Sequence, residues 1–99
     1  MEYSLSIVNG KREINETNDN IDVEIHLKDG SVYSATLFSM ENITEIMESY
    51  QNTGECLNGA FFWASDMIII QNFKLETINN IIKELVESGE YKYACSKIN

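Results

Sequence analysis

The sequence predicts an α+β fold: an antiparallel sheet of about five to six strands with two helices on one face. The first observation is an internal repeat, in which FSMENITEIMESYQNTGE (Phe38–Glu55) aligns without a gap with FKLETINNIIKELVESGE (Phe73–Glu90), 35 positions later. The second is helical spacing of apolar residues in both copies, and the third is a strictly alternating strand before the first copy. One such unit cannot bury its apolar face alone, so two copies are expected to share a core.

Each copy of the repeat predicts one helix. In the first, Met40–Thr53, apolar residues at positions 40, 43, 46, 47 and 50 form a stripe, Ser39 is the N-cap and Gly54 ends the helix. The second helix ends at Gly89. Its stripe consists of Leu75, Ile78, Ile81, Ile82 and Leu85.

A hairpin is predicted before the first helix. Its first strand alternates Ile21, Val23, Ile25 and Leu27 with Asp22, Glu24, His26 and Lys28. A two-residue turn at Asp29-Gly30 would set Ile25 opposite Ser34 and mix polar with apolar side chains on both faces. A three-residue turn with Gly30 left-handed separates them by setting Ile25 opposite Tyr33, Val23 opposite Ala35 and Ile21 opposite Leu37. The three-residue turn is predicted, because a slip of one residue flips every side chain.

The remaining elements follow from the repeat. Leu57–Trp63 and Met67–Ile70 are expected to form a second hairpin, Tyr91–Ile98 a closing strand, and Tyr3, Leu5 and Ile7 an N-terminal strand. The polar stretch Asn9–Asn20 is expected to be a loop. The chain is thus interpreted as one domain, 1–99, with repeat units 21–55 and 56–90 and a closing strand 91–98.

The two copies differ most in their hairpins. If the second hairpin has the same register as the first, 35 positions later, four of its residues face the helices: Cys56, Asn58, Ala60 and Phe62. The same register puts Phe61, Trp63, Met67 and Ile69 on the open face of the sheet. Such an apolar cluster is unusual on a soluble monomer. Several explanations compete. The N-terminal strand or Asn9–Asn20 covers the cluster, or a register slip turns it inward. Alternatively, the cluster forms a homodimer interface or a docking surface for another protein.

Composition excludes several classes of function. The net charge is −9, from sixteen acidic and seven basic residues, which argues against binding nucleic acid or an anionic membrane. This balance favours a basic partner, although acidity for solubility alone is an equal alternative. No apolar run of membrane-spanning length and no signal peptide is visible, and Cys56 and Cys95 are expected to be reduced, so a cytoplasmic protein is predicted.

The sequence shows no recognisable catalytic motif. His26 is the only histidine, so neither a His-based metal site nor a catalytic triad is predicted. No nucleophile elbow or glycine-rich phosphate loop is present, and the cysteines lack Cys-x-x-Cys spacing. We therefore expect no enzymatic activity, no cofactor and no metal.

The stretch FFWASDMIII, followed by a helix and the ending ESGE, resembles small immunity proteins of bacterial contact-dependent inhibition and polymorphic toxin systems. The resemblance spans Asn58 to Ile98 and implies an inhibitor of a toxin domain, with no site residue carried over. From the residues themselves, the expected partner-binding anchors are Phe61, Trp63, Met67 and Ile69, and the expected charges are Asp66, Asp22 and Glu24. The alternatives are a homodimeric structural or regulatory module and a small-ligand binding domain.

Overall fold

The computed structural model describes residues 2–10 and 12–99, and in these residues one sheet of five strands is accompanied by four helical segments. The strands are β1 (Tyr3–Val8), β2 (Asn20–Leu27), β3 (Val32–Ser39), β4 (Met67–Ile70) and β5 (Ser96–Lys97). The helices are α1 (Met40–Thr53), α2 (Glu55–Gly59), α3 (Leu75–Ser88) and α4 (Tyr91–Ala94). The α+β class and the number of strands are confirmed.

The strands follow the order β1-β2-β3-β4, and β5 pairs with the first half of β3 beside β4. Every pairing is antiparallel except that of β3 with β4, which is parallel. The parallel pair arises because α1, α2 and residues 60–66 carry the chain from the end of β3 back toward its middle before β4 begins.

The register of the first hairpin is the one that the sequence predicts. Ile25 pairs with Tyr33, Val23 with Ala35 and Ile21 with Leu37. At the turn, Gly30 adopts a φ of 93°, and its N–H donates to the Leu27 carbonyl at 3.0 Å. Alternation along β2 puts its odd-numbered residues on one face, and the three-residue turn sets the apolar Tyr33, Ala35 and Leu37 of β3 beside them.

The core lies between this face and α3. Ile78, Ile82 and Val86 of α3 are almost completely buried against the odd-numbered residues of β2 and their neighbours on β3. Burying each such side chain contributes about 1.5–3 kcal/mol. Helix α1 has no buried residue and adds none to this core. The prediction that both helices cover one face is therefore not confirmed.

The predicted strand Leu57–Trp63 is wrong. Cys56, Leu57 and Asn58 instead have left-handed helical φ values of 50°, 53° and 57°, within α2. Gly59, with φ of 81°, lies so close to α1 that an added Cβ would be 2.2 Å from the Met47 carbonyl oxygen. This tight reversal replaces a hairpin, so the second copy reproduces the helix of the first without its strand pair.

The closing strand is shorter than predicted. Residues Tyr91–Ala94 form α4, and only Ser96–Lys97 form a strand, β5, beside β3. The cause is the burial of Tyr91, which is 3% exposed and meets Tyr33 edge to face at a ring distance of 4.9 Å. The helical turn directs this ring into the core.

The loop before β2 is held by Asp19, and Lys11 within that loop lies outside the described residues. The Asp19 carboxylate accepts hydrogen bonds at 2.8 Å from the Arg12 guanidinium and from the backbone N–H groups of Asn15 and Asn20. Burial would raise the pKa of this carboxyl, but these hydrogen bonds outweigh burial and lower it. The Asp19 N–H donates at 3.3 Å to the hydroxyl of Ser39, the N-cap of α1.

Candidate protein-binding face

We call the sheet face opposite the α3 core the open face. Residues paired across a sheet share a face, and Asp22 pairs with Thr36, which pairs in turn with Met67. Ile69 pairs with Phe38 in the same register. The even-numbered residues of β2 and the odd-numbered residues of β4 therefore lie on the open face. Ile69 is 51% exposed there and Met67 is half-buried.

Three predicted carboxylates meet at one shallow groove on this face, which we call the acidic groove. The groove has a volume of about 310 Å³, and Asp22, Glu24 and Asp66 line it. Its other lining side chains include Ser34 and Thr36 from β3, Val8 from β1 and Ile98 after β5. Residues that are 44 positions apart in the chain, Asp22 and Asp66, are thus brought together by the β2-β3-β4 order.

Two polar contacts are made by the groove carboxylates. The Thr36 hydroxyl donates to Asp22 at 2.6 Å, and His26 Nε2 lies 3.4 Å from a Glu24 oxygen. Among residues 2–10 and 12–99, the other ion pairs join Arg12 to Asp19 and Lys28 to Glu2, so no lysine or arginine there neutralises the three groove carboxylates. Such a concave acidic surface attracts cationic groups.

Asp66 is placed by a local turn. Its φ of 55° is left-handed, a conformation that Asp tolerates better than most residues. Its carbonyl accepts the Thr36 N–H at 3.0 Å, which starts the pairing of β4 with β3. The turn sets the carboxylate at the boundary between the acidic groove and β4.

The aromatic segment before β4 divides its rings between the interior and solvent. Phe62 packs inward, with ring distances of 5.4 Å to Phe38 and 6.3 Å to Tyr50. Phe61 and Trp63, on either side, remain 45% and 69% exposed. Phe62 was expected to face the helices, and its ring does contact Tyr50 of α1. Because no second hairpin forms, however, it packs on Phe38 of the open face and does not join the α3 core.

The described residues of the loop at Asn9–Asn20 bond to α1 and to the residues before α3, and Trp63 is left exposed. The Asn18 side chain bonds to Asn42 and Glu45 of α1, and the Glu16 carbonyl accepts the Phe73 N–H at 2.8 Å. These contacts lie at the start of α1 and just before α3. Trp63 consequently stays open to solvent in the described chain.

The sequence did not reveal the contact that fixes this segment, the Phe38–Phe62–Tyr50 cluster. Phe38 is 5% exposed although it lies on the open face, because Phe62 covers it. A signal for the reversal before this segment was available in Gly54 and Gly59, since glycine commonly marks turns.

The buried Cys95 thiol is not activated. Both cysteines are free, and burial, followed by the nearby Asp66 charge, raises the pKa of Cys95 to about 11. Its thiol is therefore protonated at neutral pH. In the described part of the chain, no three His, Cys, Asp or Glu side chains are grouped to hold a metal ion. No helix among those residues has the length and hydropathy to cross a bilayer.

Comparison with protein-family models, curated proteins and solved structures finds no significant match for this chain. Its function must therefore be argued from the open face itself.

Proposed function

We propose that this chain is a non-catalytic binding protein that takes a basic protein partner on its open face, and that the partner is a toxin domain which it neutralises as an immunity protein. The observation that carries the proposal is the acidic groove on the open face, with no lysine or arginine paired to it in the described chain, together with the exposed Ile69 on the same face. Phe61 and Trp63 are exposed in the segment that leads into β4.

Charge supports the choice of a basic partner. The chain has a net charge of −9, and Asp22, Glu24 and Asp66 concentrate part of it in one concavity. Complementary charge steers diffusional encounter and raises association rates steeply at low salt. A nuclease or other enzyme that acts on polyanions has a cationic cleft, which an acidic inhibitor fills in place of the substrate.

Apolar anchors support a long-lived complex. Large aromatic side chains near the centre of an interface commonly contribute 2 kcal/mol or more each, roughly a thirtyfold change in affinity. Trp63 and Phe61 are exposed aromatic residues in the segment that leads into β4, and Ile69 is exposed on β4 itself. Their role in the proposal is to slow dissociation, while the carboxylates speed association.

The test begins with affinity capture from the native host, followed by purification of the captured protein. Binding is then measured for wild type, Trp63→Ala and the control Tyr93→Ala, which removes an aromatic residue that is 90% exposed on α4. We expect a basic partner whose affinity falls at least tenfold with Trp63→Ala and less than about twofold with Tyr93→Ala. Recovery of the chain alone, or equal losses in the two variants, would contradict the proposal.

Fold integrity is controlled by circular dichroism and urea unfolding of each variant. Because the Trp63 side chain is 69% exposed, its truncation is expected to change stability by less than about 1 kcal/mol. Neutralisation itself is tested by co-expression, in which wild type protects cells from the captured toxin domain and Trp63→Ala does not.

A further inference from the structure

The outer edge of β4 is an unpaired strand edge, on the side of β4 that faces away from β3 and the acidic groove. In the described chain, β4 has β3 as its only neighbour. An edge of this kind presents free backbone N–H and C=O groups, and proteins usually protect it with lysine, proline or a bulge. Met-Ile-Ile-Ile has none of these residues.

The register identifies which backbone groups point outward. Thr36 N–H donates to the Asp66 carbonyl, so the backbone groups of Asp66 face β3. Backbone groups alternate in direction along a strand, so Ile68 and Ile70 also face β3. The N–H and C=O groups of Met67 and Ile69 therefore point away from the sheet. Within residues 2–10 and 12–99, no hydrogen bond satisfies them.

We infer that the partner inserts an extended, basic segment that pairs with the outer edge of β4 and becomes the next strand of the sheet. Strand addition of this type draws affinity from main-chain hydrogen bonds and specificity from alternate side chains. This inference rests on the proposed function and specifies the element that the partner presents.

The side chains around β4 specify the chemistry of that segment. On one face an added strand would lie next to the apolar Met67 and Ile69 and, at the start of β4, the Asp66 carboxylate. Lysine or arginine suits both neighbours, since its methylene groups cover apolar side chains while its charge meets the carboxylate. On the other face it would lie next to Ile68, which packs on the core and favours an apolar residue. The expected segment thus alternates basic and apolar residues.

Charge decides between such a segment and a second copy of this chain. Pairing two β4 edges would bring together two molecules that each carry a net charge of −9, with their Asp66 carboxylates near the joint. Like charges at this distance disfavour association, whereas a cationic strand is attracted.

The probe is a synthetic peptide of alternating lysine and valine, seven residues long. Its control is the same peptide N-methylated at alternate residues, which keeps every side chain and charge but removes one hydrogen-bonding edge. Amide hydrogen exchange of the ¹⁵N-labelled protein is measured by NMR with each peptide. We expect the unmodified peptide to slow exchange at Met67 and Ile69 at least tenfold and the methylated peptide to leave it unchanged.

A pair of protein variants gives an independent readout. Ile69→Pro removes an outward donor without touching the bonds to β3, a place where an edge strand tolerates proline, and Ile69→Val keeps that donor. We expect Ile69→Pro to weaken peptide binding at least tenfold and Ile69→Val less than about threefold. Circular dichroism checks that both variants are folded. If Ile69→Pro is unfolded, the comparison of the unmodified and methylated peptides on the wild-type protein still tests the inference.

Three results would overturn the inference. The first is peptide binding at the groove with unchanged exchange at Met67 and Ile69, which would leave the proposed function standing. The second is absence of peptide binding while the captured basic protein still depends on Trp63. The third is protection of Met67 and Ile69 by protein concentration alone, which would make a second copy the occupant.

Discussion

The two aligned segments, Phe38–Glu55 and Phe73–Glu90, contain helices of the same length that share an ending but differ in burial. We call the stretch that ends with each segment the first and the second copy, after the sequence alignment. Helices α1 and α3 each have 14 residues and end at a left-handed glycine, Gly54 with φ of 85° and Gly89 with φ of 82°. Yet α3 buries Ile78, Ile82 and Val86, whereas α1 buries no residue. Local signals therefore set where a helix begins and ends, while the strands that precede it decide what it packs on.

The largest expected effect is on the free energy of unfolding, and it differs between the two helices. Ile78 is 0% exposed, and its aligned counterpart Ile43 is half-buried. We expect Ile78→Ala to lower the free energy of unfolding by about 4 kcal/mol, because it leaves a cavity, and Ile43→Ala by about 1 kcal/mol. Urea unfolding of the two variants measures both values. Equal losses would mean that α1 is as much a part of the core as α3.

The second prediction concerns the tight reversal that replaces the second hairpin. At Gly59 an added Cβ would meet the Met47 carbonyl at 2.2 Å, whereas at Gly89, with nearly the same φ, nothing lies within 4 Å. We expect Gly59→Ala to cost about 2–3 kcal/mol through strain and overpacking, and Gly89→Ala about 1 kcal/mol through strain alone. Thermal and urea unfolding give the values; a harmless Gly59→Ala would mean that α2 does not pack on α1.

A smaller effect is expected at Asp19, whose carboxylate holds the loop before β2 through hydrogen bonds from Arg12, Asn15 and Asn20. Asp19→Asn should cost about 1–2 kcal/mol at pH 7, because it weakens several hydrogen bonds to one carboxylate. The folded pKa of Asp19 lies below its ordinary value of 3.8. Its contribution is therefore present above that value and is lost as pH falls through the folded pKa.

The matched control for this prediction is Asp29→Asn. The pKa of Asp29 is also lowered, by the Ser31 backbone N–H, but the side chain lies on the exposed hairpin turn. We expect a loss that is clearly smaller than that of Asp19→Asn. Unfolding of wild type and both variants between pH 2 and 7 checks the sign: convergence of wild type and Asp19→Asn at low pH is expected, and a constant gap would contradict it.

The fourth prediction concerns the reactivity of the two cysteine thiols and not the stability of the fold. Cys56 aligns with the buried Ile21, and a second hairpin would have buried it too, but it is half-buried in α2. Cys95 is buried with its thiol pKa raised to about 11. A thiol reagent at pH 8 should therefore modify Cys56 at least about tenfold faster than Cys95. Single Cys→Ser variants assign the two rates, and a slower Cys56 would support the hairpin.

The first copy was predictable because its signals agree with each other. Alternation in Ile21–Leu27, the glycine in the turn and the cap at Ser39 all specify one arrangement, and the structure has it. The helix α3 was predictable for the same reason. The strand at Met67–Ile70 was also correct, although its parallel partner was not foreseen.

The second hairpin was predicted wrongly because the alignment with the first hairpin assigned Leu57–Trp63 a strand conformation that its residues do not adopt. Gly54 and Gly59 allow a left-handed reversal, and the contact of Phe62 with Phe38 becomes available only after that reversal. Tyr91 likewise forms a helical turn because its ring enters the core beside Tyr33. These contacts join distant parts of the chain, which local patterns do not specify.

The candidate site was predictable in part. Alternation placed Asp22 and Glu24 on the polar face of β2, and the register found for β4 puts Met67 and Ile69 on the same face. The gathering of Asp66 with Asp22 and Glu24 in one groove depends on the parallel pairing of β3 with β4 and on the turn at Asp66. Neither the parallel pairing nor the turn could be predicted from the local sequence.

The central claim, that the open face and not the overall charge selects a basic partner, is tested most directly by two variants of equal net charge. One carries Asp22→Asn, Glu24→Gln and Asp66→Asn in the acidic groove; the other carries Glu76→Gln, Glu84→Gln and Glu87→Gln on the exposed side of α3. Association rates with the purified partner are measured at low salt. We predict that the groove variant associates at least about tenfold more slowly than wild type and the α3 variant less than about threefold. Equal slowing in both variants would contradict the account.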